Sequence, residues 1–88
     1  EMDPSNPATA YNLAAVMFQR GEYERARFYI RRVNNVPEQV TADSLWLAIR
    51  IEHRMGNVSG RQELGTQLRN KFPTARQTNK LELGLFDE

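Results

Sequence analysis

Few side chains in this 88-residue chain could carry catalysis: there is one histidine, His53, and no cysteine. A nucleophilic triad would need a serine beside His53 and a carboxylate to orient it. Ser44 lies nine residues upstream, about 13 Å along a helix at 1.5 Å per residue. Glu52 and His53 point to different sides of such a helix. No glycine-rich phosphate loop and no cluster with metal-ligand spacing occurs. The residues predict no enzyme, no cofactor and no metal, and His53 reads as a surface or groove residue. The other chemistry within reach is recognition. Tyr11 and Phe18 in the first half are matched by Trp46 and His53 in the second, with Arg50 and Arg54 beside the second pair. Rings give contact area at low entropic cost and a guanidinium can fork onto a carboxylate, so the set suits capture of an extended or helical peptide.

The elements that must position these residues are helices. Pro7 suits a first helical turn, where its missing N–H costs nothing. Ala10, Leu13, Ala14 and Met17 then make one apolar stripe to about Arg20. Gly21 ends that helix, as a residue free to adopt positive φ. A second helix is predicted from about Glu22 to Asn34, burying Tyr23, Ala26, Ile30 and Val33, with Arg25, Arg27, Arg31 and Arg32 on a solvated face. Ala26 is small enough to let helix axes approach to about 8–9 Å. Asn34-Asn35-Val36-Pro37 breaks the pattern, and a third helix follows over about Ala42–Met55, with Thr41 or Asp43 near its start as the cap. It is apolar on more than one side, which predicts burial between neighbours. Gly56-Asn57 separates it from a fourth helix, about Val58–Lys71, carrying Leu64, Leu68 and Phe72. Gly60 and Gly65 weaken that helix by roughly 1 kcal/mol each unless they admit a close neighbour. Pro73 stops it, and residues 74–88 read as a tail with a strand-like or irregular ending, since Leu81, Leu83 and Leu85 alternate with Glu82 and Gly84.

Bulk properties narrow the function classes. A chain of this size is at most one domain and buries only about 60–65% of its unfolded surface, so it is marginal alone. The net charge of +1 carries no nucleic-acid or membrane signature. No apolar run of about 18 residues occurs, and without cysteine neither a disulfide nor a thiolate site supports the fold.

The two helix pairs superpose as an internal repeat. Gly21 falls on Gly56, Tyr23 on Val58 and Val33 on Leu68, an offset of 35 residues. Leu13-Ala14, Met17, Gly21, Tyr23, Ala26 and Ile30 stand where the tetratricopeptide repeat, with its period of about 34 residues, has its landmarks, and residues 7–39 resemble that repeat. Residues 40–73 resemble a degenerate copy, in which Glu52 replaces an apolar landmark and Arg61 the small alanine, so that helix packing there should depart from the ordinary. Residues 1–6 resemble the tail of a preceding repeat, and residues 74–88 follow the last copy. The fold expected from the resemblance is all-α, antiparallel helix-turn-helix repeats stacked as a right-handed superhelix fragment cut from a longer array.

The degenerate copy is more specific. Ala42–Glu52, Met55-Gly56-Asn57 and the closing Gln67-Leu68-Arg69-Asn70-Lys71-Phe72-Pro73 resemble the C-terminal end of the type IV pilus biogenesis and stability proteins of Gram-negative bacteria. The resemblance implies an interaction scaffold at the periplasmic face of the outer membrane, assisting assembly or localisation of the secretin pore. It also implies a lipid-bearing cysteine in a part of the protein not included in this sequence. The partner would be a secretin subunit or another pilus-assembly component. A tetratricopeptide adaptor or cochaperone of another envelope or cytoplasmic complex is the second reading.

In stacked helix pairs the first helix of each unit lines the concave side. That places Ala8, Tyr11, Ala15, Phe18 and Gln19 in the groove from the first copy, and Asp43, Trp46, Arg50, His53 and Arg54 from the second. Trp46 within Leu45–Ile49 reads as partly core rather than as a free anchor, and Arg50 and Arg54 can be solvated or ligand-facing. Apolar surface left uncovered by missing repeats predicts pairing with a second copy of the fragment.

Overall fold

The computed structural model describes residues 7–86 of the chain; the expected tail of a preceding repeat, residues 1–6, lies outside them, as do residues 87 and 88. Five α-helices follow one another: α1 (Pro7–Gln19), α2 (Tyr23–Asn34), α3 (Ala42–Arg54), α4 (Val58–Lys71) and α5 (Arg76–Leu83). A single 3-10 turn, Pro37–Gln39, precedes α3. No strand occurs among the described residues, so the fold is all-α.

The helix starts repeat as the sequence predicts. α3 begins 35 residues after α1, and α4 begins 35 residues after α2. Each first helix ends the same way. Gly21 takes φ 81° and donates to the Phe18 carbonyl at 3.1 Å, while the Glu22 N–H donates to Met17 O at 2.8 Å. Gly56 takes φ 73°, donates to His53 O at 3.1 Å, and is followed by Asn57 N–H to Glu52 O at 2.9 Å. This paired closure needs a left-handed residue, which glycine supplies without a Cβ penalty. It turns the chain sharply enough for each pair to lie antiparallel.

α3 sits in the middle and packs against every other helix. Its start is fixed by a reciprocal cap: Thr41 Oγ1 accepts from the Ser44 N–H at 3.0 Å, and Ser44 Oγ accepts from the Thr41 N–H at 2.8 Å. One side of α3 gives Leu47, Ala48 and Ile51 to a core with Ala10, Ala14, Ala26, Ile30 and Val33. Alanines at 10, 14 and 26 leave room for α1 and α2 to close on each other. The other side gives Leu45, Trp46 and Ile49 to a second core with Leu68, bordered by Leu64, Phe72 and Leu81. Each fully buried leucine or isoleucine contributes roughly 2 kcal/mol of transfer free energy. The two-sided apolar pattern of α3 is thereby used in full.

Three expectations are corrected. Residues 74–86 are not a plain tail: α5 occupies 76–83 and packs on α3 and α4. It too closes on a left-handed glycine, Gly84 at φ 72°. Gly65 faces this helix, and a Cβ there would come within 3.3 Å of a Leu81 methyl, so the glycine admits a close neighbour. Arg27 is not on a wet face, because it pairs with Glu52 across the two units. Glu52 therefore leaves no packing fault: its buried carboxylate binds Arg27 and the side-chain amide of Asn57 at 2.9 Å.

Candidate protein-binding surface

The predicted groove residues occupy one side of α1 and α3, but the structure divides them into two regions. Around the start of α3, Tyr11 and Asn12 of α1 face Gln39, Thr41, Asp43 and Ser44 across an open cleft of about 260 Å³. Tyr11 is half-buried there. Burial pushes its phenol up from the ordinary 10.0, the Asp43 carboxylate raises it further, and Arg50 opposes both. Asp43 is exposed and accepts from the side-chain amide of Gln77, so α5 also reaches this end. Ala15 packs half-buried against the first core, and Gln19 is exposed at the far end of α1. Ala8 lies in α1, with its side chain outside the described set.

Farther along, the face is closed. Phe18 is 9% exposed, held between Tyr23 (ring centroids 5.6 Å apart) and the Arg50 guanidinium, 4.7 Å above its centroid. It is a core residue that joins α1 to α3, not a free groove ring. Trp46 is 6% exposed and belongs to the second core. Its indole N–H has no acceptor among the described residues, an uncommon state for a buried donor. Arg50 uses its Nε to donate to the backbone carbonyl of Phe86 at 2.9 Å. His53 Nδ1 lies 2.9 Å from Arg61 Nη1; because a guanidinium only donates, that ring nitrogen is the acceptor. Arg54 is exposed.

Phe86 is what closes this second region. Its ring stacks on His53 at 4.5 Å and on Trp46 at 5.8 Å, with interplanar angles of 25° and 23°. The Arg61 guanidinium lies 5.0 Å from the same ring. Phe86, Arg61 and Gln77 are functional candidates that the sequence reading missed. Arg61 was visible as a large cation in the place of a small alanine. Phe86 had no local signal, because its partners are more than twenty residues away.

The Ser44 hydroxyl is buried and donates to Thr41 O at 3.0 Å, serving the α3 cap. Among the described residues, no group of three or more His, Cys, Asp or Glu could hold a metal ion, and no helix is long and apolar enough to cross a membrane. The chain matches no protein-family model, no curated protein and no solved structure.

Proposed function

We propose that this chain is a protein-interaction scaffold of two tetratricopeptide-like helical hairpins, stacked in the sense of a right-handed superhelix and capped by α5, which binds a segment of another protein along the face shared by α1 and α3. The observation that carries this reading is the register of those helices. They begin 35 residues apart, lie in contact, and set a half-buried tyrosine opposite an exposed carboxylate across an open cleft. An aromatic anchor beside hydrogen-bonding groups, on a rigid helical surface, is the usual make-up of a recognition patch. No bond is made or broken; affinity comes from buried ring area and polar pairing at Tyr11, Asn12, Gln39 and Asp43.

The resemblance of residues 42–73 to the type IV pilus biogenesis and stability proteins supports a finer reading. The partner is then a secretin subunit or another pilus-assembly component, and the site of action is the periplasmic face of the outer membrane. Capture of purified secretin subunits by the chain tests it. Tyr11→Ser, at the edge of the first core, and the exposed Asp43→Lys should each weaken capture at least tenfold, with circular dichroism checking that both variants remain folded. Undiminished capture by both variants removes the cleft from the account. Failure of the unmodified chain to capture any secretin removes the pilus assignment and leaves the scaffold reading to be tested with other partners.

A further inference from the structure

The grip on Phe86 is made of separable recognition contacts. Two aromatic rings from α3 stack on it, a guanidinium from α4 lies by its ring, and Arg50 binds its main-chain carbonyl. Every gripping group belongs to the second hairpin, whereas Phe86 belongs to the short stretch after Gly84, where α5 has already ended. Nothing in these contacts requires the ring to be joined covalently to α5. The rest of this stretch adds little to the grip: Gly84 is exposed, Leu85 is only half-buried, and their N–H groups donate back to Leu81 O and Lys80 O of α5. The ring and the carbonyl of Phe86 are what tie it to the second hairpin.

The sequence continues Phe86-Asp87-Glu88, an aromatic followed directly by two carboxylates. The surface that grips the ring carries Arg50 and Arg61, each with five N–H donors. The ring of Phe86 meets a cationic, ring-lined socket, and the order of groups in the sequence, an aromatic then two acids, matches that socket in chemistry. The trans equivalent is an external segment with the same order of groups.

Resting on the reading of this face as a protein-binding surface, we propose that the socket formed by Trp46, Arg50, His53 and Arg61 recognises an aromatic side chain followed by carboxylates on a partner segment, and that Phe86 is its resident competitor. The tethered segment competes at an effective concentration on the order of millimolar. With an intrinsic Kd of about 100 μM for the resident segment itself, a partner segment binds the unmodified chain roughly tenfold more weakly than a chain whose own segment cannot compete.

Trp46 is the only tryptophan, so its emission reports on the socket directly. The probe is the blocked peptide Gly-Leu-Phe-Asp-Glu, corresponding to residues 84–88, titrated into the full chain and into Phe86→Ala. Phe86→Ala should shift Trp46 emission to the red, and the peptide should reverse the shift saturably, with affinity about tenfold above that for the unmodified chain. A peptide with Ala for Phe should not bind, and one with Asn-Gln for Asp-Glu should bind several-fold more weakly. Phe86→Leu, which keeps an apolar side chain over Trp46 but removes the stacking ring, serves if the alanine variant loses its helical circular dichroism. A folded variant that ignores the peptide, or equal binding to all chains, overturns the proposal. So does a dimer of the unmodified chain, seen in sedimentation, that exchanges Phe86 between copies and admits no peptide. If the peptide fails while Tyr11→Ser still abolishes partner capture, only this inference falls. If the peptide binds and capture is indifferent to Tyr11 and Asp43, only the α1–α3 cleft reading falls.

Discussion

Arg27 of α2 and Glu52 of α3 form a two-point ion pair between the hairpins, Nε to Oε2 and Nη2 to Oε1, each at 2.9 Å. The carboxylate side chain is 5% exposed and the guanidinium 25%. A planar fork matched to a carboxylate fixes orientation as well as distance. The pair therefore sets how the second hairpin sits on the first, and hence the width of the face formed by α1 and α3.

Removing one partner should cost more than removing both. Arg27→Ala leaves the buried Glu52 carboxylate with only the Asn57 amide, and should lower stability by about 3 kcal/mol. Replacing both residues by methionine should cost about 1 kcal/mol or less, because no charge is left buried. Urea unfolding of the two variants, compared at equal m-value, checks the order. A double replacement as damaging as the single one would mean that the pair stabilises by more than relief of desolvation.

The repeat was legible because its signals are local. A glycine at the helix end, a small residue at 26 and apolar spacing of three and four all lie within one hairpin. The ion pair was not legible: its partners stand 25 residues apart, and read singly each departed from its expected surroundings. α5 was missed because Leu81, Leu83 and Leu85 alternate in a period of two, while the helix buries Thr78 and half-buries Leu81 on a spacing of three. Two signals could have found it: Gly84 as a left-handed helix stop, and a start 34 residues after that of α3. At the candidate surface the sequence paired Trp46 and His53 as groove rings of α3; in the structure Trp46 lies in the second core and both rings stack on Phe86. The sequence could not show that Phe86 fills the space before them, since that contact depends on where α5 aims the chain.

Gly21 and Gly56 should respond alike to a side chain. A Cβ at either position meets no atom within 4 Å, so the cost is conformational alone. Gly21→Ala and Gly56→Ala should each lose roughly 1 kcal/mol through the left-handed backbone, and asparagine at either place should lose less. Thermal unfolding of the four variants checks this. A much larger loss at one glycine would reveal packing that the open surroundings do not explain.

Stability should fall at alkaline pH through Tyr11. Its folded-state value lies above the unfolded 10.0, mainly by burial and next by Asp43. A raised value means that the neutral phenol is favoured in the fold, so its contribution is complete below about pH 10 and is lost as pH rises through the folded value. Tyr11→Phe should flatten that part of the stability profile between pH 9 and 11. Absorbance titration should also show a late-ionising phenol in the unmodified chain that is absent from Tyr11→Phe. Identical alkaline profiles for the two chains would contradict the burial of the phenol.

α5 should act as the cover of the second core rather than as an appendage. It packs on both α3 and α4, bringing Leu81 against Gly65 and the Leu45–Trp46–Ile49–Leu68 cluster. Thr78 of α5 is itself buried, its hydroxyl donating to the Phe72 carbonyl at the end of α4. Leu81→Ala should cost about 1–2 kcal/mol, at the lower end for a core leucine because the side chain is only half-buried. Ending the chain at Thr74 should do far more, since it uncovers Trp46 and its apolar neighbours at once. That shortened chain should sediment as concentration-dependent oligomers and lose the sharp unfolding transition of the second hairpin. The first hairpin keeps its own core on α1, α2 and the inner side of α3. A shortened chain that stays monomeric with an unchanged midpoint would show that α3 and α4 close this core without α5. The position of Phe86 over Trp46 and His53 would then be incidental to the stability of the fold.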